Sequence, residues 1–97
     1  MYVEVLAGAQ VFLGMEQRIP GKKFMEAGLT IAVASDFNPG SSNIYDLPLC
    51  GGLAVSMSGL NTDTALLGMT RNAGIALGRP DLGVLEEGSL GLSLIHI

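Results

Sequence analysis

The sequence has few charged residues, and basic residues are the scarcest of them. Charged side chains make up 14% of the 97 residues, with five Lys and Arg against nine Asp and Glu, for a net charge of −4. Nucleic-acid-binding proteins need clustered Lys and Arg, so the composition argues against a nucleic-acid partner. A free-standing domain usually carries roughly 25% charge. Together with the 48% hydrophobic content, the low charge predicts a piece of a larger fold whose side chains face protein.

The sequence also lacks a second cysteine and a long apolar run. Its single cysteine, Cys50, excludes an internal disulfide and fits a reducing, cytoplasmic compartment. The apolar neighbours in LPLCGGLAV predict a buried small hydrophobe rather than a nucleophile. The uncharged stretch 47–62 is too short and too rich in Pro, Gly, Ser and Asn to span a bilayer. The N-terminus has no leader pattern, so we expect a cytoplasmic protein without a membrane partner.

Strand patterns alternate with helix patterns along the chain, which predicts an α/β fold with a parallel sheet. VEVLAG (Val3 to Gly8) is typical of a short strand, and the apolar run Leu29 to Ala34 is typical of a parallel strand covered on both faces. Between them, AQVFLGMEQRI predicts a loop with a turn of helix. Further helices are predicted over Pro20–Ala27, from Leu47 to about Ser58 after an Asp46 cap, and from an Asn61 cap to Leu77 with a break near Thr70. A weak strand is predicted over Gly83–Glu86.

Polar residues follow the second strand directly, in the sequence DFNPGSS. Functional groups of parallel α/β folds lie at the C-terminal ends of strands, and Asp36 stands just past the apolar run. A carboxylate in that position needs a metal, a cation or several N–H donors as a partner. Asn38 offers an amide, Gly40 permits close approach, and Ser41 and Ser42 offer hydroxyls. These residues predict a donor-rich pocket wall suited to a carboxylate-bearing ligand, with a turn-forming or helix-capping Asp36 as the alternative.

Several stretches resemble one enzyme family. LTIAVASDFNPGSS resembles the last barrel strand and following loop of the imidazolonepropionases, in the amidohydrolase superfamily. LNTDTALL and TRNAGIALG resemble that family's later helix start and its Thr-x-Asn-x-Ala-x-x-Leu-Gly segment, and VLAGAQVFLG resembles the segment after its seventh strand. The resemblance covers residues 3–91. It implies that residues 1–78 are the last two βα units of a (β/α)8 TIM barrel, and that residues 79–91 begin a small β-domain.

The resemblance also implies a reaction. Imidazolonepropionases hydrolyse the cyclic C–N bond of 4-imidazolone-5-propanoate to N-formimidoyl-L-glutamate in L-histidine degradation, with one zinc or iron ion. Asp36 is implied to ligate that ion and to carry the proton of the metal-bound water to the leaving nitrogen. Asn38 and Gly40 are implied to contact the open-chain product, and Ser41 to contact the propanoate of the substrate. A homodimer is the implied state of the parent enzyme.

The chain departs from the family in its histidines. The family's metal site uses a His-x-His pair and a further His, whereas the single histidine here is His96. Residues 92–97, LSLIHI, resemble the translation of a sequencing adapter, and we interpret them as an assembly artefact that gives His96 no chemical role. We therefore expect the isolated chain to be inactive, although its parent is an enzyme.

Two other functions stay open at this point. Another metal-dependent cyclic amidohydrolase or deaminase would keep Asp36 but would not need Asn38, Gly40 and Ser41. A non-catalytic α/β module that binds a carboxylate ligand would need no metal ligands at all.

Overall fold

The computed structural model describes residues 2–40 and 42–90. Within them the chain forms two strands and five helices, in the order β1, α1, α2, β2, α3, α4 and α5. Ser41 and the adapter-like segment 92–97, which includes His96, lie outside the described residues. The roles expected for them are therefore untested.

The two strands pair in parallel, as the sequence predicts. β1 spans Tyr2–Val5 and β2 spans Thr30–Val33, with Val5 opposite Val33. Parallel strands need a crossover connection, and α1 and α2 lie within it. The α/β class is thereby confirmed at the level of a two-stranded parallel sheet with helices.

Five helices accompany the sheet, and four of them match predicted helices. Their bounds are α1 Ala7–Phe12, α2 Gly21–Glu26, α3 Leu47–Ser58, α4 Thr62–Met69 and α5 Arg71–Ala76. The break near Thr70 is confirmed, because this residue has φ −124° and ψ −98° and separates α4 from α5. α1 corresponds to the predicted turn of helix and is six residues long. In the part of the chain that the structure describes, no helix is long and apolar enough to cross a membrane.

Side-chain caps fix where α3 and α4 begin. The Asp46 carboxylate accepts from the Leu49 N–H at 3.3 Å, and the Asn61 side-chain oxygen accepts from the Thr64 N–H at 2.7 Å. Each cap satisfies one of the N–H groups that the first turn of a helix leaves unpaired. Gly59 then ends α3 at φ 77°, a left-handed conformation in which glycine has no Cβ to clash. Both predicted caps are confirmed.

The core lies on one face of the sheet. Because side chains alternate along a strand, Val5, Ile31 and Val33 share that face, and all three are buried against Cys50 and Ala54 of α3. Cys50 is a free cysteine. Burial, with the nearby Asp46 carboxylate adding to it, raises the pKa of its thiol and favours the uncharged form. The prediction of a buried small hydrophobe is confirmed.

The outer edge of β2 is covered by α4 and α5. The Ala34 N–H donates to the Val5 carbonyl at 3.3 Å. Along a strand, every second residue points its N–H and C=O toward the same neighbour, so those of Ile31, three residues before Ala34, point away from β1. A Cβ added to Gly68 of α4 would lie 3.1 Å from the Ile31 carbonyl oxygen. The Asn72 side-chain amide of α5 donates to that same oxygen at 3.1 Å. Gly68 therefore lets α4 approach the edge of β2, and the Asn72 amide pairs with the Ile31 carbonyl at that edge.

The weak strand predicted over Gly83–Glu86 is wrong. These residues are irregular, and Gly83 has φ +75°, a conformation that an extended strand does not adopt. Gly83 packs against the backbone of Thr70, where a Cβ would overlap the Thr70 carbonyl. This contact fixes the segment against the α4–α5 junction instead of pairing it in a sheet. The assignment of residues 79–91 to a small β-domain stays a prediction.

Gly68→Ala is expected to lower the free energy of unfolding, because its new Cβ would lie 2.8 Å from Val33 Cγ2. Such overpacking costs roughly 1–3 kcal/mol. Gly52→Ala in α3 is the matched control, since a Cβ there meets nothing within 4 Å and alanine favours a helix by about 1 kcal/mol over glycine. Urea unfolding followed by circular dichroism should shift the two midpoints in opposite directions. Shifts of the same sign would contradict the packing of α4 on β2.

Candidate functional site

Asp36 opens the candidate site in an uncommon backbone conformation. It is exposed and lies three residues after β2. Its φ is +45°, and within residues 2–40 and 42–90 it is the one non-glycine residue with a positive φ. The left-handed region costs most L-residues roughly 1–2 kcal/mol, although Asp and Asn tolerate it better. Such conformations concentrate at functional sites, where the surrounding structure holds them. The resemblance implies a catalytic role for this same residue, and that role stays a prediction.

Asn38 shapes the loop with its own side chain. Its amide oxygen accepts from the Gly40 N–H at 3.0 Å, and its amide nitrogen donates to the Asp36 carbonyl oxygen at 3.2 Å. Its backbone also exchanges two 3.0 Å hydrogen bonds with Ser42. An Asn side chain that bonds the backbone two residues away forms an Asx turn, which stabilises a tight loop. Asn38 therefore holds Asp36 and Gly40 in one compact turn.

Ser42 anchors the far end of the loop. It is 0% exposed, and its hydroxyl oxygen accepts from the Ile44 N–H at 3.3 Å. Gly8 of α1 lies against it, since a Cβ there would be 2.9 Å from Ser42 Oγ. The prediction that the Ser42 hydroxyl helps to form a ligand pocket is wrong, because the side chain is buried between the loop and α1.

An aromatic pair flanks the same loop. The rings of Phe37 and Tyr45 meet edge to face, with centroids 5.8 Å apart and planes at 78°. Both residues are exposed, Phe37 by 55% and Tyr45 by 78%. Edge-to-face contacts of this kind contribute about 0.5–1.5 kcal/mol. Sequence reasoning missed this pair, because the two residues are eight positions apart and only the turn at Asn38 brings them together.

The described residues do not form a metal site on their own. No three His, Cys, Asp or Glu side chains come together in residues 2–40 and 42–90. A catalytic zinc takes three protein ligands as a rule, and one carboxylate does not meet that need. The implied zinc or iron does not fit the described part of this chain alone, in which Asp36 is at most one ligand of a larger set.

Asp36, Asn38 and Gly40 thus lie in one turn after the C-terminal end of β2, and their functional roles stay a prediction. The fourth predicted site residue, Ser41, falls outside the described residues. The turn presents one exposed carboxylate beside an Asn side chain and a glycine backbone, with an aromatic pair next to it. Chemically, this arrangement can accept a proton or ligate a cation at Asp36.

Asp36→Val is expected to lower the free energy of unfolding by about 1–2 kcal/mol, because a β-branched residue is disfavoured at positive φ. Asp36→Asn is the matched control, since asparagine has the same shape and tolerates this conformation. Urea unfolding of both variants and the original chain checks the difference. Equal stability of the Asp36→Val and Asp36→Asn variants would show that the turn does not impose the left-handed conformation.

Comparison with known proteins identifies relatives for most of the chain. No family model matches it. Imidazolonepropionase from Deinococcus deserti is 40% identical over 84 residues, which are 87% of this chain and 21% of that protein. The imidazolonepropionase from Kosmotoga olearia is 42% identical over 85 residues, again 87% of this chain and 21% of the relative. The one from Salmonella arizonae is 44% identical over 75 residues, 77% and 18% of the two chains.

The chain spans about a fifth of the length of the curated relatives that it matches. The level of identity is similar across these three bacteria. The resemblance to imidazolonepropionases that the sequence predicts is confirmed, for one segment of those proteins.

Proposed function

We propose that this chain is the C-terminal part of an imidazolonepropionase, which hydrolyses 4-imidazolone-5-propanoate to N-formimidoyl-L-glutamate in L-histidine degradation. The observation that carries the proposal is the position of Asp36, held at positive φ just past the C-terminal end of a parallel strand in a segment about 40% identical to such enzymes. Catalytic groups of parallel α/β folds lie at that end of the sheet.

The finer fold in this proposal is the end of a (β/α)8 barrel. Its support is the parallel pairing of β1 with β2, in which Ala34 continues the ladder beyond the last residue of β2. Residues two apart face the same side of a strand, so Ala32 faces the side opposite Ile31 and Val33. In a barrel the helix-covered face is the outside, and Asp36 would lie at the rim, just past the end of β2.

Asp36 is the group proposed to move the proton. In the hydrolysis the oxygen of water bonds to the ring carbon, the ring C–N bond breaks, and the departing nitrogen gains a proton. A carboxylate that takes the proton from water and delivers it to that nitrogen balances the step, and positioned groups of this kind contribute about 10²–10⁴-fold in rate. The exposed carboxylate at the mouth of the turn suits this role.

One zinc or iron ion in the complete enzyme would supply activation of the water. Asp36 is the one described residue of this chain proposed to ligate it, and the other ligands would come from the part of the enzyme outside this chain. A complete metal site would therefore require the rest of the parent enzyme.

The neighbouring residues are proposed to bind the anionic tail. Asn38 and Gly40 would contact the product, and Ser41 the propanoate of the substrate. The support for Asn38 and Gly40 is that the Asx turn places both beside Asp36. A tail bound here would sit next to the reacting carboxylate, which fixes the ring relative to the proton acceptor.

The test is a chimera of the Deinococcus deserti enzyme in which this chain replaces the matched 84 residues. We expect it to hydrolyse 4-imidazolone-5-propanoate, and Asp36→Asn to lower kcat by about 10²–10⁴-fold and to reduce the bound metal. Asp46→Asn is the matched control, because Asp46 is an exposed carboxylate near the same loop and asparagine caps α3 equally well.

Full activity of the Asp36→Asn chimera would remove Asp36 from the mechanism. Activity confined to a different cyclic amide would favour another amidohydrolase, and tight substrate binding without turnover a carboxylate-binding module.

In the same chimera, Ser41→Ala is expected to raise KM by about 2- to 100-fold with kcat nearly unchanged, since a hydrogen bond to a charged tail is worth roughly 0.5–3 kcal/mol. Ser56→Ala on the exposed side of α3 is the control and should leave both constants as they are. Steady-state kinetics separate the two constants. A fall in kcat at constant KM would place Ser41 in the chemical step instead of the binding of the tail.

A further inference from the structure

The aromatic pair of Phe37 and Tyr45 connects the two ends of the loop that carries Asp36. Phe37 directly follows Asp36, and Tyr45 directly precedes Asp46, the residue that caps α3. The two rings meet edge to face, with their centroids 5.8 Å apart. The contact therefore links the residue next to the candidate proton carrier with the residue that leads into the helix.

The Tyr45 end of this contact is fixed to the core of the molecule. The Asp46 carboxylate accepts from the Leu49 N–H at 3.3 Å, which sets where α3 begins. In the first turns of the same helix, Cys50 is 0% exposed and belongs to one buried cluster with Val33 of β2. The backbone at Tyr45 is thereby tied to the sheet through α3.

The Asp36 end has only local hydrogen bonds and one more distant tie. The Asn38 side chain bonds the Asp36 carbonyl and the Gly40 N–H, and both bonds lie within the turn itself. They shape the turn without attaching it to α3. The backbone bridge from Asn38 to the buried Ser42 attaches its far side. The aromatic pair supplies a second attachment, one residue from Asp36.

Burial does not account for the pairing of the rings. Phe37 is 55% exposed and Tyr45 78% exposed, so neither side chain gains much from leaving water. Edge-to-face geometry is instead favoured by the charge distribution of the rings, whose edges are positive and whose faces are negative. An aliphatic side chain of similar size lacks that distribution and would not reproduce the contact.

We propose that Phe37 and Tyr45 are positioning residues that hold Asp36 in place for proton transfer, by attaching its turn to the start of α3. The pair acts through Asp36 and does not itself contact the substrate. This inference rests on the proposed function, because it assigns the pair to the same reaction. A contact of modest strength suffices, since a misplacement of about 1 Å can lower the rate of a reaction by about 10²-fold.

The test uses the chimera of the Deinococcus deserti enzyme described above. Phe37→Leu and Tyr45→Leu each keep an apolar side chain and remove a ring, and each should lower kcat at least twofold. KM should change less, because Asn38 and Gly40, the proposed contacts of the tail, keep the hydrogen bond between them. Tyr45→Phe keeps the ring and is the matched control, which should retain the original kcat.

The double variant distinguishes a joint role of the rings from two separate roles. If they act through their mutual contact, the Phe37→Leu/Tyr45→Leu chimera should lose no more kcat than one single variant. Hydrogen exchange at the Asn38 N–H, which donates to the Ser42 carbonyl at 3.0 Å, is a second readout. It should quicken by about 2- to 12-fold in each leucine variant and no further in the double variant.

Three results would overturn the proposal. The first is additive loss of kcat in the double variant, and the second is a Tyr45→Phe chimera as slow as the Tyr45→Leu chimera. The third is a rise in KM at constant kcat in the leucine variants, which would assign the rings to contact with the substrate.

These outcomes are separable from those of the proposed function. An active chimera that is indifferent to both leucine substitutions would overturn the positioning role and keep the function. An inactive chimera in which exchange at Asn38 still responds jointly to the two substitutions would overturn the function and keep the pair as the restraint on the turn.

Discussion

The parallel ladder between β1 and β2 is the interaction on which the rest of the structure depends. Its register places Val5 and Val33 side by side on the face that meets α3, and it ends at the hydrogen bond from Ala34 to Val5, two residues before Asp36. The ladder therefore fixes both the core and the point at which the loop leaves the sheet. A shift of β2 by one residue would turn Ile31 and Val33 away from α3 and displace the start of the loop that holds Asp36.

In the candidate site, Asn38 and Ser42 shape the turn, and Asp36 is the residue proposed to do chemistry. Asn38 and Ser42 use their side chains in hydrogen bonds to the backbone, which stabilise the turn from within. Asp36 is exposed on that turn and has a positive φ. A side chain held in this way would lose little freedom in the proposed proton transfer, and holding reacting groups in place is a main source of catalytic rate.

Local signals in the sequence were sufficient for most of the elements and for the polar turn that follows β2. The caps at Asp46 and Asn61 and the apolar run of β2 each act through residues close in the chain, so the pattern alone predicts them. The burial of Ser42 against Gly8 joins two residues that are distant in the chain, and no local pattern encodes it. The prediction of a strand at Gly83 is wrong for a similar reason. Gly83 has a left-handed conformation and packs against Thr70, and no local pattern encodes that contact.

The two edges of the sheet are not equivalent, and this bears on how a larger sheet could grow. At the outer edge of β2, the Asn72 amide already occupies the Ile31 carbonyl, and Gly68 brings α4 against it. At the outer edge of β1, the backbone of Glu4 and the Gln10 amide, which has no partner among the described residues, face an open groove. A strand added beside β1 gains hydrogen bonds and displaces none in the described part of the chain, whereas one added beside β2 must first replace the bond from Asn72. In the described part of the chain, the edge of β2 is therefore the covered edge of the sheet.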